Sequence, residues 1–118
     1  MINNVFYEGF EGESELSFVS SEDKLIIWNG YFETILDTLI DSGVDKKGML
    51  SEYFNHEGWY DDSPWLLRDT KLALEQLQCF DVGKVRETMM TNKLSNVVNT
   101  IIMFLEKHIS EDIYIEYE

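Results

Sequence analysis

Three acids spaced by fours, Glu33, Asp37 and Asp41, are the first candidates for a functional surface. Residues four apart on a helix stack on one face, so this spacing makes a carboxylate ridge. Each like-charge pair costs about 0.2–0.5 kcal/mol, and no lysine on the same face relieves it. Such a ridge is either an ordinary solvated face or a surface that waits for Lys or Arg from a partner. A second constellation runs from Glu52 to Trp65 and sets Tyr53, Trp59, Tyr60 and Trp65 among Glu52, Glu57, Asp61 and Asp62. Trp and Tyr dominate binding hot spots, and carboxylates beside them can grip Arg with two parallel hydrogen bonds. The alternative is that Trp59 and Tyr60 fold back onto the core.

Other chemistry is sparsely represented. Gly43 and Gly48 have the separation of a phosphate-binding loop, but Met49 stands where its lysine belongs. Neither paired cysteines nor a His-x-x-x-His spacing suggests zinc. His56 neighbours Glu57 and precedes Asp61 and Asp62, yet the spacing departs from a calcium loop. His108 falls near the end of a predicted helix, where a cation eases the negative helix end. Cys79, between Leu77 and Phe80, reads as a buried apolar residue. Trp28, Trp65, Met89, Met90 and Met103 read as core. With 23 acids, chance carboxylate pairs abound and none earns an acid–base role. The expectation is a protein that is not an enzyme and holds neither cofactor nor metal.

Charge narrows the class of partner. The 118-residue chain has 23 Asp and Glu against 9 Lys and Arg, a net of −14. Such a surplus repels nucleic acid and anionic lipid and speeds encounter with basic proteins. Residues 1–62 carry 14 acids and 3 bases, whereas residues 63–118 carry 9 and 6. A solubility coat has no need of that asymmetry; a binding surface does. A lone cysteine suits a reducing compartment, and Met1–Phe10 lacks a basic region followed by an apolar run, so a cytoplasmic location without membrane span is expected.

These residues must be positioned by a fold, and the periodicity predicts one domain over 1–118. Leu16 and Phe18 alternate with Glu11, Glu13 and Glu15 in the manner of a half-buried strand. A long helix is expected from Ser20 or Ser21 to Gly43, on the stripe Leu25, Trp28, Phe32, Ile35, Leu36 and Leu39, widened by Ile26, Ile27, Tyr31 and Ile40. A short helix is expected within Asp45–Asn55. Another runs from Ser63-Pro64 to about Cys79, with Asp69 as a possible second cap. Asp81-Val82-Gly83 reads as a break, with a helical stretch resuming near Lys84. Leu94, Val97, Val98, Ile101, Ile102 and Leu105 form the cleanest stripe. The tail Ile113–Tyr117 alternates and can pair with the amino-terminal strand. The expected class is therefore mainly α: a single compact helical domain with a small strand pair formed by the chain termini.

Glu33, Asp37, Asp41 and the run Glu57-Gly58-Trp59-Tyr60-Asp61-Asp62, on a small acidic chain, give it the character of a known class. The chain as a whole resembles bacterial immunity proteins, the inhibitors paired with polymorphic or contact-dependent growth-inhibition toxins. The resemblance implies a basic toxin domain as partner, often a nuclease, and no direct binding of nucleic acid. On that reading the ridge steers the encounter and Trp59 and Tyr60 anchor the complex. The competing expectation is an acidic helical adaptor or structural subunit without inhibitory role.

Overall fold

The computed structural model describes residues 1–55, 64–85 and 91–117. It corrects the expected fold class. The chain forms an α+β domain around a five-stranded mixed sheet, not a mainly helical body with a terminal strand pair. The strands are β1 (Ile2–Phe6), β2 (Glu15–Ser20), β3 (Asp23–Trp28), β4 (Trp65–Leu66) and β5 (Tyr114–Tyr117), in the order β1-β3-β2-β5-β4. The helices are α1 (Asn29–Asp41), α2 (Met49–Asn55), α3 (Thr70–Gln78) and α4 (Thr91–Lys107), with a 3-10 turn at Val82–Lys84.

The main departure lies between Ser20 and Trp28. Instead of starting a helix, Ser21 and Glu22 turn a tight hairpin in which Ser20 pairs with Asp23 and Ser21 takes φ +49°. β3 then runs antiparallel to β2, with Leu16 opposite Ile27 and Phe18 opposite Leu25. Leu25 and Ile27 are buried while Lys24, Ile26 and Trp28 are only partly covered, the period of a strand with one face on the core. The unusually broad apolar stripe of the expected helix was thus two faces of a strand joined to one face of a shorter helix. Alternate residues of the strand and every third or fourth residue of the helix both supply large apolar groups, so the composite mimics a single wide helical face.

The expected pairing of the tail with the amino-terminal strand does form. β5 lies antiparallel to β2, with Phe18 opposite Ile115 and Leu16 opposite Tyr117. It adds to a larger sheet in which β1 runs parallel to β3 and β4 pairs with β5. Trp65 and Leu66, expected in a helix, form β4, and Trp65 is buried there.

Leu16, Phe18, Leu25, Ile27 and Ile115 make the inner sheet face, on which the helices pack. Phe18 meets Phe32 of α1 edge-on at 5.8 Å and Phe104 of α4 at 6.3 Å. α4 buries Leu94, Val97, Val98, Ile101 and Leu105, as its stripe requires. α1 ends at a glycine stop: Gly43 at φ +88° lets its own amide bond Ile40 and that of Val44 bond Leu39. Asp69 caps α3 by accepting from the Leu72 amide at 3.0 Å. The buried Gln76 of α3 donates to the carbonyls of Asp45 (3.3 Å) and Lys47 (2.8 Å), which ties down the loop before α2. Two residues expected in the core lie outside it. Cys79 is exposed at the end of α3, and Met103 of α4 is 69% exposed.

Candidate functional site

The ridge is a real alignment. Glu33, Asp37 and Asp41 lie on successive turns of α1 and all three are exposed, opposite the buried Phe32, Ile35, Leu36 and Leu39. Burial of the apolar side against the sheet leaves the acidic side facing water. Asn29 donates from Nδ2 to Glu33 Oε1 at 3.1 Å, which orients the first carboxylate of the row.

Tyr53 of α2 packs beside this ridge. Its ring meets Phe32 edge-on at 5.9 Å. Burial pushes the Tyr53 phenol above its ordinary range, and the negative charges of Glu33, Asp37 and then Tyr117 push the same way. Glu52, the residue before Tyr53, approaches Arg68 at 3.9 Å. The sequence named Tyr53 only as part of a long aromatic–acidic segment. Its contact with α1 is a tertiary event that no local spacing announces. Glu57, Trp59, Tyr60, Asp61 and Asp62, together with His56, lie outside the described residues. Trp65, from the same segment, is a core residue of β4.

A second cluster joins distant parts of the chain. His108, directly after α4, is 3% exposed and has Glu111 Oε1 2.9 Å from Nδ1 and Asp23 Oδ2 2.9 Å from Nε2. Lys107 reaches the same Asp23 oxygen at 2.7 Å. Ser20 and Ser21 donate to Glu111 Oε1 at 3.1 and 2.6 Å, and Ser20 shows the same hydroxyl to the Asp112 carbonyl at 2.8 Å. The hydrogen bond from Lys107, then that to His108, hold the Asp23 carboxyl down at about 2. Ser21 and His108 lower Glu111 in the same way, and Asp23 raises Lys107. A general base needs a ring nitrogen open to substrate. Here both nitrogens are engaged and the ring is buried, so the cluster works as a clasp between the β2–β3 turn, the end of α4 and the approach to β5.

Among the described residues, no group of three or more His, Cys, Asp or Glu side chains is arranged to hold a metal ion. Nor is any described helix long and apolar enough to cross a membrane. Compared with protein-family models, curated proteins and solved structures, the chain matches none.

Proposed function

We propose that this chain binds a basic protein through the exposed face of α1, and that it does so as an immunity-type inhibitor of a toxin domain in the cytoplasm. The observation that carries the reading is the row Glu33, Asp37 and Asp41, exposed on one helix face with Tyr53 packed beside it. Three carboxylates on successive turns of one exposed face offer a docked Lys or Arg a shared attraction. Carboxylates also take Arg in paired, charge-assisted bonds. Tyrosines next to them supply contact area at small cost in side-chain entropy. A nuclease is a fitting target because it must be positive where it holds phosphates. An inhibitor that offers carboxylates competes for the same surface, and long-range attraction quickens its arrival.

The test is direct. The chain is co-expressed with the product of the adjoining reading frame, and growth and binding are measured for wild type and for the triple variant Glu33→Lys, Asp37→Lys, Asp41→Lys. The expected result is loss of growth protection, at least a tenfold (about 1.4 kcal/mol) loss of affinity, and a flattened dependence of affinity on salt. Unchanged affinity and unchanged salt dependence would remove the ridge from the interface and favour the adaptor reading.

A further inference from the structure

A groove of about 550 Å³ lies between the sheet and α4, with Asn3 and Leu25 on its sheet side and Thr100, Met103 and Phe104 on its helix side. Small-molecule sites commonly span about 300–1,000 Å³ and are apolar with a few polar groups. Thr100, Met103, Phe104 and Lys107 share one face of α4, a wall about 10 Å long at the helical rise. The middle of the groove is apolar. Leu25 is buried, Phe104 is half-buried and Met103 is 69% exposed. The two polar side chains there are engaged locally: Thr100 donates to the Asn96 carbonyl at 2.8 Å, and Asn3 Oδ1 accepts from the Val5 amide at 3.2 Å. An exposed methionine beside such a hollow can adapt its shape to an apolar guest.

The end of the groove at Lys107 is charged. The lining brings Lys24, Lys107 and the Met1 amino group against a single carboxylate, Asp23, in a chain of net −14. Asp23 is already occupied: its Oδ2 meets Lys107 at 2.7 Å and His108 at 2.9 Å, and its Oδ1 meets the Met1 amino group at 3.3 Å. The neighbouring acids are turned to their own partners, Glu111 to His108, Ser20 and Ser21, and Glu116 to Lys24. The Lys107 side chain, by contrast, is 68% exposed, and its ammonium has three N–H donors, of which Asp23 takes one. A cation that enters here meets a carboxylate with both oxygens taken. An anion meets a lysine with donors to give.

We propose that this groove binds a small apolar carboxylate, its chain lying between Leu25 and Met103 and its head on the Lys107 ammonium. Charge-assisted bonds from an ammonium to a carboxylate are the strong ones, and the apolar walls remove the chain from water. Size selects among anions. A nucleic acid or an anionic membrane meets the whole body of −14 and is repelled. A small ion inside the groove is governed by its nearest charges, because the rest are screened over about 8 Å at physiological salt. The site shares no residue with the α1 ridge, and the proposal does not depend on the basic-partner reading.

The probes are octanoate, octylamine and octanol, each titrated into the isotope-labelled full chain and followed by amide and methyl chemical shifts. Octanoate is expected to move Leu25, Met103 and Lys107 most and to bind about tenfold more tightly than octylamine. Lys107→Gln is expected to weaken octanoate about tenfold while octanol stays within about twofold, which separates loss of the head contact from loss of the groove. Met103→Asn, a change at an exposed side chain, is expected to weaken octanoate and octanol alike. Absence of saturable shifts with octanoate, shifts gathered outside the groove, or octylamine bound as tightly as octanoate would overturn the site. Octanoate binding that Lys107→Gln leaves unchanged would overturn the head contact. A concentration-dependent dimer that covers Met103 would overturn the choice of occupant in favour of a second copy.

Discussion

His108 illustrates how much a single side chain can join. It follows the last turn of α4, and its ring ties Asp23 of the hairpin to Glu111 before β5. Asp23 has its carboxyl lowered to about 2 by Lys107 and His108, so its contribution to stability is full above the unfolded aspartate range, near 3.9, and fades as pH falls toward the folded value. Glu111 acts in the same direction. Lys107 is raised, so its share is complete below the ordinary lysine range and fades at higher, alkaline pH. Urea midpoints measured from pH 6 down are expected to fall chiefly between about pH 4 and 2, and Asp23→Asn is expected to lower the plateau and flatten that limb. His108→Ala strips a buried ring from two carboxylates and is expected to cost about 2 kcal/mol, read as a shift in the denaturation midpoint. An unchanged midpoint would mean that the clasp is idle. From sequence, His108 was legible as a residue easing a helix end. Its partner 85 residues away, Asp23, was not, because proximity through the sheet leaves no local pattern.

At the scale of elements, the junction of β3 and α1 decides how the ridge is presented. Trp28 ends the strand and stacks on Phe10 at 4.3 Å with rings 5° from parallel, while Tyr31 meets both rings edge-on. The indole lies over Gly30 so closely that a Cβ there would stand 2.4 Å from it. Two effects compete in Gly30→Ala. Alanine favours the helix by about 1 kcal/mol, but overpacking commonly costs about 1–3 kcal/mol, and a contact this short is with a large, stacked ring that has little room to yield. Net destabilisation is expected, together with a change in tryptophan fluorescence; a stabilised variant would show that the ring moves freely. The cap of α3 offers a simpler case: Asp69→Ala is expected to cost about 1 kcal/mol by thermal melting. Asp69 was legible as a cap because its chemistry is local. The start of α1 was not, because Ser20, Ser21, Glu22 and Asp23 satisfy the rules for a helix start as well as those for a polar hairpin, and only the strand partners β2 and β1 choose between them.

The whole molecule is small, 34 × 32 × 28 Å, and carries a net of −14. At 10 mM salt the screening length is about 30 Å, so every carboxylate senses the rest; at 150 mM it is about 8 Å and the repulsion becomes local. Raising the salt across this range is expected to stabilise the fold by about 1 kcal/mol, or roughly 4 °C in Tm for a domain of this size. A melting point that does not move would imply that ion pairs such as Lys107–Asp23 and Lys24–Glu116 already offset the surplus. The triple reversal on α1 is expected to diminish this salt response, because it removes three negative charges from the same field.

The amino-acid sequence by itself determined what depends on counts and on neighbours within a few residues. These are the acidic balance, the amphipathic α4, the glycine stop after Asp41, the Asp69 cap, and the placing of Glu33, Asp37 and Asp41 on one helix face. Only the tertiary structure decided that Asp23–Trp28 is a strand, that Tyr53 packs on Phe32 of α1, and that β1 is the outermost strand among the described residues. The reason is physical: caps and helical faces are fixed by bonds that span three or four residues, whereas a strand is defined by hydrogen bonds to segments elsewhere in the chain. Which side chains meet across a sheet follows only once those segments have paired.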